Sequence, residues 1–210
     1  ATRWYMVTAG APWSPLKFDP NGVRETYAKM FLTLWNIYKF HADYAALDGF
    51  DPETNGVDVI TRPPLDRWIL SRLATVAKGY HHDFTTWNFH KACRDLEDFI
   101  VNDLSNWYVR RSRRRFWDGD AQALETLHHC IKSLTLIMAP MVPFITEKVW
   151  QDVIKVVQPD VVDSVHLADW PIFNQGSVDL ALGDAVAATR RLVELGRAAR
   201  AESGVKIRQP

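Results

Sequence analysis

Apolar residues recur at helical spacing along most of this chain. Between Phe18 and Pro52, Val23, Tyr27, Met30, Phe31, Leu34, Trp35, Tyr38 and Ala42 repeat every three or four positions, which predicts one long helix. Asp19 followed by Pro20 marks its start, a capping oxygen before a residue that has no donor to satisfy. Gly49 and Pro52 stop it, and residues 48–64 form a polar loop ending in Pro63 and Pro64. A second helix carries Leu65, Ile69, Leu73, Val76 and Tyr80 on one side. A third, with Asn88 at its cap position, carries Phe89, Cys93, Leu96, Phe99, Ile100 and Leu104. Asp118-Gly119-Asp120 predicts a turn, "AQALETLHHCIKSLTLIM" an amphipathic helix, "APMVPF" a bend, and "FITEKVW" a return to helix. A last helix over roughly 178–202 shows Leu182, Val186, Thr189, Leu192, Val193 and Leu195, with Gly204 as its cap. The first 17 residues, with Pro12 and Pro15, read as irregular or extended, as do residues 154–176, and "VKIRQP" begins a further segment. The predicted fold class is all-α, a bundle of five to six helices with short irregular ends.

Composition narrows the classes of function. The chain has 210 residues, of which 47% are hydrophobic and 24% charged, enough for a substantial core. No run of about 18 apolar residues predicts a membrane span. The start of the chain has no pattern of a secretory signal. Cys93 and Cys130 are the only cysteines, too few for a disulfide framework or a four-cysteine zinc site, and they fit a reducing cytosol. Lys and Arg total 25 and Asp and Glu total 25, so a generally basic surface is excluded and any nucleic-acid contact must come from a local patch. Nine tryptophans are many for this length, and they could fill a core or stack on a ligand.

One such patch is "WYVRRSRRRFW", residues 107–117, with five arginines between aromatic pairs. On a regular wheel of about 100° per residue, the apolar stripe through Ala92, Leu96, Leu104 and Trp107 goes on to receive Arg110, Arg111 and Arg114, with Val109 and Phe116 on the opposite side. Either the helix breaks near residues 102–105, where Asp103 or Ser105 would cap a new one, or it runs past the core and turns that face to an anion. Burying several unpaired arginines is prohibitive, so they must meet water, carboxylates or phosphates. The plain alternative is a solvated face paired with Asp95, Glu97 or Asp98. The combination of Trp107 with Arg110, Arg111 and Arg114 suits an unpaired RNA loop, because guanidinium forks match phosphates and flat rings stack on bases. Asn36, inside the long helix, either bonds a neighbouring helix or offers an amide able to read a base edge.

Other constellations predict no chemistry. His81-His82 and His128-His129 are adjacent pairs that point apart on a helix, so no metal site is expected and surface positions are. His90 reads as helix surface, and His166 as a neighbour of Trp170. Glu97 and Asp98 are not an acid–base pair, no glycine loop cradles phosphate, and no catalytic residue is expected.

Seven ordered stretches carry a resemblance: "RWYM", "FLTLWNIYKFHADYAALDGFDP", "LDRWILSRL", "LSNWYVRRSRRRFW", "APMVPFITEKVW", "SVHLADWP" and "RRLVELGRAARAESGVKIRQP". Over essentially the whole chain it resembles the anticodon-binding region of class I aminoacyl-tRNA synthetases, the isoleucyl branch above all. "LDRWILSRL" is shared with valyl and leucyl relatives, whereas "YAALDGFDP" and "LGRAARAESGVKIRQP" favour the isoleucyl one. The resemblance implies residues 1–17 as the end of a connection to a catalytic domain, 18–175 as the anticodon-binding bundle, and 176–210 as a helix leading to a C-terminal region. It implies tRNA(Ile) as partner, without DNA or membrane, in a cytoplasmic monomer. ATP, magnesium and zinc are implied for a longer parent ligase only, with none in this piece. The "HIGH" and "KMSKS" signatures are absent here, so an excised piece that binds tRNA without aminoacylating is expected. In the related methionyl enzyme the equivalent helices offer an asparagine and a tryptophan to the anticodon; Asn36 and Trp107 match those positions. The competing readings are the same region of a valyl or leucyl relative, and a helical module whose arginines meet an acidic protein.

Overall fold

The computed structural model describes residues 1–52, 58–173, 176 and 178–204, and among them every regular element is helical. Seven helices form the bundle. α1 is Thr2–Thr8. α2 is one rod of three consecutive pieces, Pro20–Thr26, the π-helical Tyr27–Phe31, and Leu32–Leu47. α3 is Pro64–Thr85. α4 is again a continuous rod, Phe89–Asp98, the π-helical Phe99–Val109, and Arg110–Trp117. α5 is Ala121–Met138. α6 joins Pro143–Val149, Trp150–Ile154 and Lys155–Val157. α7 is Leu180–Glu202. Single 3₁₀ turns occur at Val59–Thr61 and Val165–Leu167. The segment expected from "VKIRQP" lies outside the described residues, as does part of the loop before α3.

Local chemistry sets the boundaries. Asp19 Oδ1 accepts from the Asn21 amide at 2.9 Å, with Pro20 at the first helical position. Asp120 Oδ1 accepts from the amides of Gln122 and Ala123, opening α5 after the turn at Gly119, whose φ is +72°. Asn88 does stand at the start of α4, but its side chain makes no cap bond. Gly204, with φ of +66°, follows the end of α7.

The core lies where α2, α3, α4 and α5 meet, with α6 closing one side against α5. Its largest enclosed side chains include Trp4, Trp68, Trp150, Tyr80 and Tyr108. Three of the nine tryptophans therefore fill the interior, while Trp13, Trp35, Trp87 and Trp117 are exposed. The N-terminal segment, expected to be irregular, contains α1 instead. Trp4, Tyr5 and Thr8 share one helical face that packs on α2 and α4, and Trp4 Nε1 donates to Glu97 at 3.0 Å. Gly10, Pro12 and Pro15 lie beyond the end of this helix at Thr8 and so do not interrupt it. A Cβ on Gly22 would come within 2.4 Å of the Tyr5 ring, so glycine is what lets α1 approach α2. α7 departs in the other direction: none of its residues is buried, and Leu192 and Leu195 are exposed. Only Leu182 and Val186 pack on the core, so the periodic apolar face of α7 is covered over its first two turns alone.

The histidines also differ from expectation. His90 is half-buried, its Nδ1 3.2 Å from the Val7 carbonyl, and the Trp170 ring lies 5.5 Å from that of His81. His128 is buried, its ring centroid 5.2 Å from that of His41, with Phe50 against both. Neither His41 nitrogen has a hydrogen-bond partner among the described residues. Burial disfavours the charged form and pushes His41 down to about 3 and His128 down to about 4. Unfolded histidines titrate near 6.5. Between those values the unfolded chain binds protons that the folded chain refuses, so stability falls as pH drops. We expect denaturation at pH 5 to occur at clearly lower denaturant than at pH 7, with a loss of up to about 1.4 kcal/mol per pH unit for each histidine. A flat profile between those pH values would show the pair to be solvated.

Candidate nucleic-acid interface

α4 settles the alternative posed by its sequence. The helix does not break at residues 102–105; it widens. The buried stripe runs through Ala92, Cys93, Leu96, Phe99, Ile100, Asp103, Leu104, Tyr108, Ser112 and Phe116. Its last steps are four residues each, the consequence of the wider π turns from Phe99 to Val109. A regular wheel therefore runs out of phase after Leu104. Tyr108 replaces Trp107 on the inner stripe, and Val109 and Phe116, expected on the far side, are buried. The Phe116 ring meets Phe40 of α2 edge-on at 5.0 Å. The same rotation carries Arg110, Arg111, Arg113 and Arg114 out to solvent and leaves Trp107 half-buried at the margin.

Most of the acidic residues proposed as local partners are occupied elsewhere. Asp95 pairs with Lys91, Glu97 holds Trp4 and Lys29, and Asp98 accepts from Asn102. Arg115 is the structural arginine of the run. Its guanidinium grips Asp66 with two bonds of 2.6 and 2.8 Å, and its Nε reaches Asp120 at 2.8 Å. Asp66 is fully buried and also accepts from the Tyr108 hydroxyl at 3.0 Å. Arg114 makes an exposed pair with Asp118 at 3.6 Å on its own helix, a contact worth a few tenths of a kcal/mol. Arg110 and Arg111 have no carboxylate within ion-pair distance among the described residues.

Arg111 folds back so that its guanidinium lies 3.7 Å from the centroid of the Trp107 ring. Arg190 of α7 sits 5.2 Å from the same ring. Trp107, Arg110 and Arg111 thus share one patch, with Arg114 one turn further along. Asn36 stands on α2, exposed, with no side-chain bond to a neighbouring helix among the described residues. It occupies the position one turn before Phe40, whose ring packs on α4. Arg190, and its pairing with Asp103, which the sequence offered only as a helix cap, escaped the sequence reading. The signal was present in "FIVNDLSNWYV", where a carboxylate interrupts an apolar stripe and demands a cation from elsewhere.

An all-helical module that holds an aromatic ring and unpaired guanidiniums at its surface has the make-up of a single-stranded RNA binder. The family comparison agrees: the model described as the anticodon-binding domain of tRNA ligase matches residues 66–210, and the chain belongs to that family. Over its whole length it is 46% identical to the isoleucine–tRNA ligase of Streptomyces avermitilis, 41% to that of Thermus thermophilus and 40% to that of Clostridium novyi. The chain spans about a fifth of the length of these relatives.

Proposed function

We propose that this chain is the anticodon-reading part of an isoleucine–tRNA ligase and that its partner is tRNA(Ile). The observation that carries the reading is the stack of exposed Arg111 on half-buried Trp107, beside Arg110, which has no ion pair among the described residues, on a chain matched over its whole length by isoleucine–tRNA ligases. On this reading, residues 18–175 are the binding bundle, with 1–17 leading in from the catalytic part and 176–210 leading out.

Each residue has a role suited to its chemistry. Trp107 stacks on a splayed base. The Asn36 amide, exposed and able both to donate and to accept, reads a base edge. Arg110 and Arg111 meet phosphates or base edges, and Arg114 joins them by releasing its weak surface pair. Phosphate contacts fix the register of the loop, while base contacts carry the selection. A wrong anticodon leaves desolvated polar groups without partners, which is how a polar site rejects it.

The longer protein would activate isoleucine with ATP and transfer it to tRNA(Ile) in the cytoplasm. Its ATP, magnesium and zinc would be held on segments outside this chain, and the chain alone, as a monomer, would bind without aminoacylating. Among the described residues no group of three or more histidine, cysteine or acidic residues is arranged to hold a metal ion. No described helix is long and apolar enough to cross a membrane.

Measured affinities for transcripts bearing isoleucine, valine and methionine anticodons test the reading. The isoleucine anticodon should bind best. Preference for the valine anticodon would move the parent to the valyl relative, and equal binding of any polyanion would leave only a general acidic-partner module.

A further inference from the structure

The arginine patch does not end with α4. The π segment of α4 buries Asp103, whose side chain is 4% exposed. Its carboxylate is shared between two other helices. Oδ2 accepts from Arg72 of α3 at 3.1 Å, and Oδ1 accepts from Nη1 of Arg190 on α7. Arg190 is thereby fixed by one nitrogen of its fork, and its guanidinium comes to rest against Trp107. The Asp103 clamp ties α7, which packs on α3, to the π segment of α4, and so bears on what the next turns of α7 present.

Two turns beyond Arg190, on the same face, is Arg197, exposed. Its charge and that of Arg110 both bear on Arg111. Partial desolvation first, and then repulsion from Arg197 and Arg110, lower the pKa of Arg111. Among the described residues neither Arg111 nor Arg197 has a carboxylate within ion-pair distance. Glu194, between Arg190 and Arg197 on the same face, pairs with neither among the described residues, Arg190 being held by Asp103 instead. Neighbouring cations on two helices, without a counter-charge, are an arrangement that an anion relieves.

We propose that Arg197 of α7 and Arg111 of α4, aligned by the Asp103–Arg190 clamp, form a phosphate subsite that holds the backbone of a single-stranded RNA loop next to Trp107. The proposal rests on the RNA-binding reading above and adds to it a second wall, α7. Arg197 contributes attraction without base identity, and Asp103 is a positioning residue that touches no RNA.

The test measures affinity as a function of salt for the chain and for Arg197→Ala, against two ligands. One is the tRNA(Ile) anticodon stem–loop; the other is an unrelated single-stranded RNA of equal length. Arg197 lies on an exposed helix surface, so the variant keeps the fold, which circular dichroism checks. Loss of one phosphate contact should lower the slope of log K against log salt by about 0.7, equally for both RNAs. An unchanged slope overturns the subsite even if the stem–loop is still preferred. A loss confined to the stem–loop makes Arg197 a base reader and also overturns it. A lowered slope for both RNAs with no stem–loop preference keeps the subsite and defeats the anticodon reading; no RNA binding at all defeats both.

Discussion

Asp66→Ala is expected to destabilise the bundle by about 3–5 kcal/mol, the range for removing one partner of a buried ion pair. Asp66 is the knot between the first turn of α3 and the last turns of α4. Its buried carboxylate takes two bonds from Arg115 and one from Tyr108. Removing it leaves the Tyr108 hydroxyl, enclosed and held protonated by burial and by Asp66 itself, without its closest acceptor. It also strips Arg115 of all but Asp120. Denaturant unfolding at pH 7 measures the loss. Arg114→Ala, four residues along the helix from Arg110, should change stability by less than about 0.5 kcal/mol, because its one ion pair among the described residues is exposed. Equal effects for the two variants would contradict the division of the arginine run into one structural and several presented side chains.

Trp107→Ala should weaken binding of the tRNA(Ile) anticodon stem–loop by about 1–3 kcal/mol, roughly 5- to 150-fold. The ring is half-buried at the edge of the core, so part of it packs and part is offered. In the free chain Arg111 covers it, a contact worth about 0.5–1 kcal/mol at an exposed site. A stacking base must therefore displace that guanidinium or continue the stack over it. Either way, losing the ring removes the platform. Trp107→Phe should recover part of the affinity. Loss of helicity by Trp107→Ala, rather than loss of binding, would make the ring a core residue.

What could be read from the sequence was what short-range chemistry decides. Asp19-Pro20, the turn at Gly119 and the glycine after α7 carry their own capping logic, and the structure places helix ends there. The apolar stripe of α3 keeps a regular period, and its inner face was legible too, whereas in α2, which holds a π-helical piece at Tyr27–Phe31, Met30, Phe31, Leu34 and Tyr38 are buried but Tyr27 and Trp35 of the expected stripe are exposed. The phase of α4 was not legible. Eleven residues of π-helix add turn width that no 3.6-residue count contains, and every side chain after Leu104 is displaced by it. That is why Val109 and Phe116 looked exposed and the arginines looked inward. α1 was hidden because its stability comes from Trp4 and Tyr5 packing on distant residues rather than from its own seven positions. His128 read as surface because a histidine in an amphipathic helix gives no sign that His41 lies across the core from it. The candidate site showed the same split. The run that supplies Trp107 and the arginines is local and visible, while Asp103 and Arg190 become partners only when the chain folds back and α7 packs on α3.

The most direct measurement is chemical probing of tRNA(Ile) with and without the chain. Protection centred on the anticodon bases and the adjoining loop phosphates, and abolished in the Trp107→Ala, Arg111→Ala double variant, is the result this account predicts. Protection confined to the acceptor end, or none at concentrations that saturate binding, would contradict it.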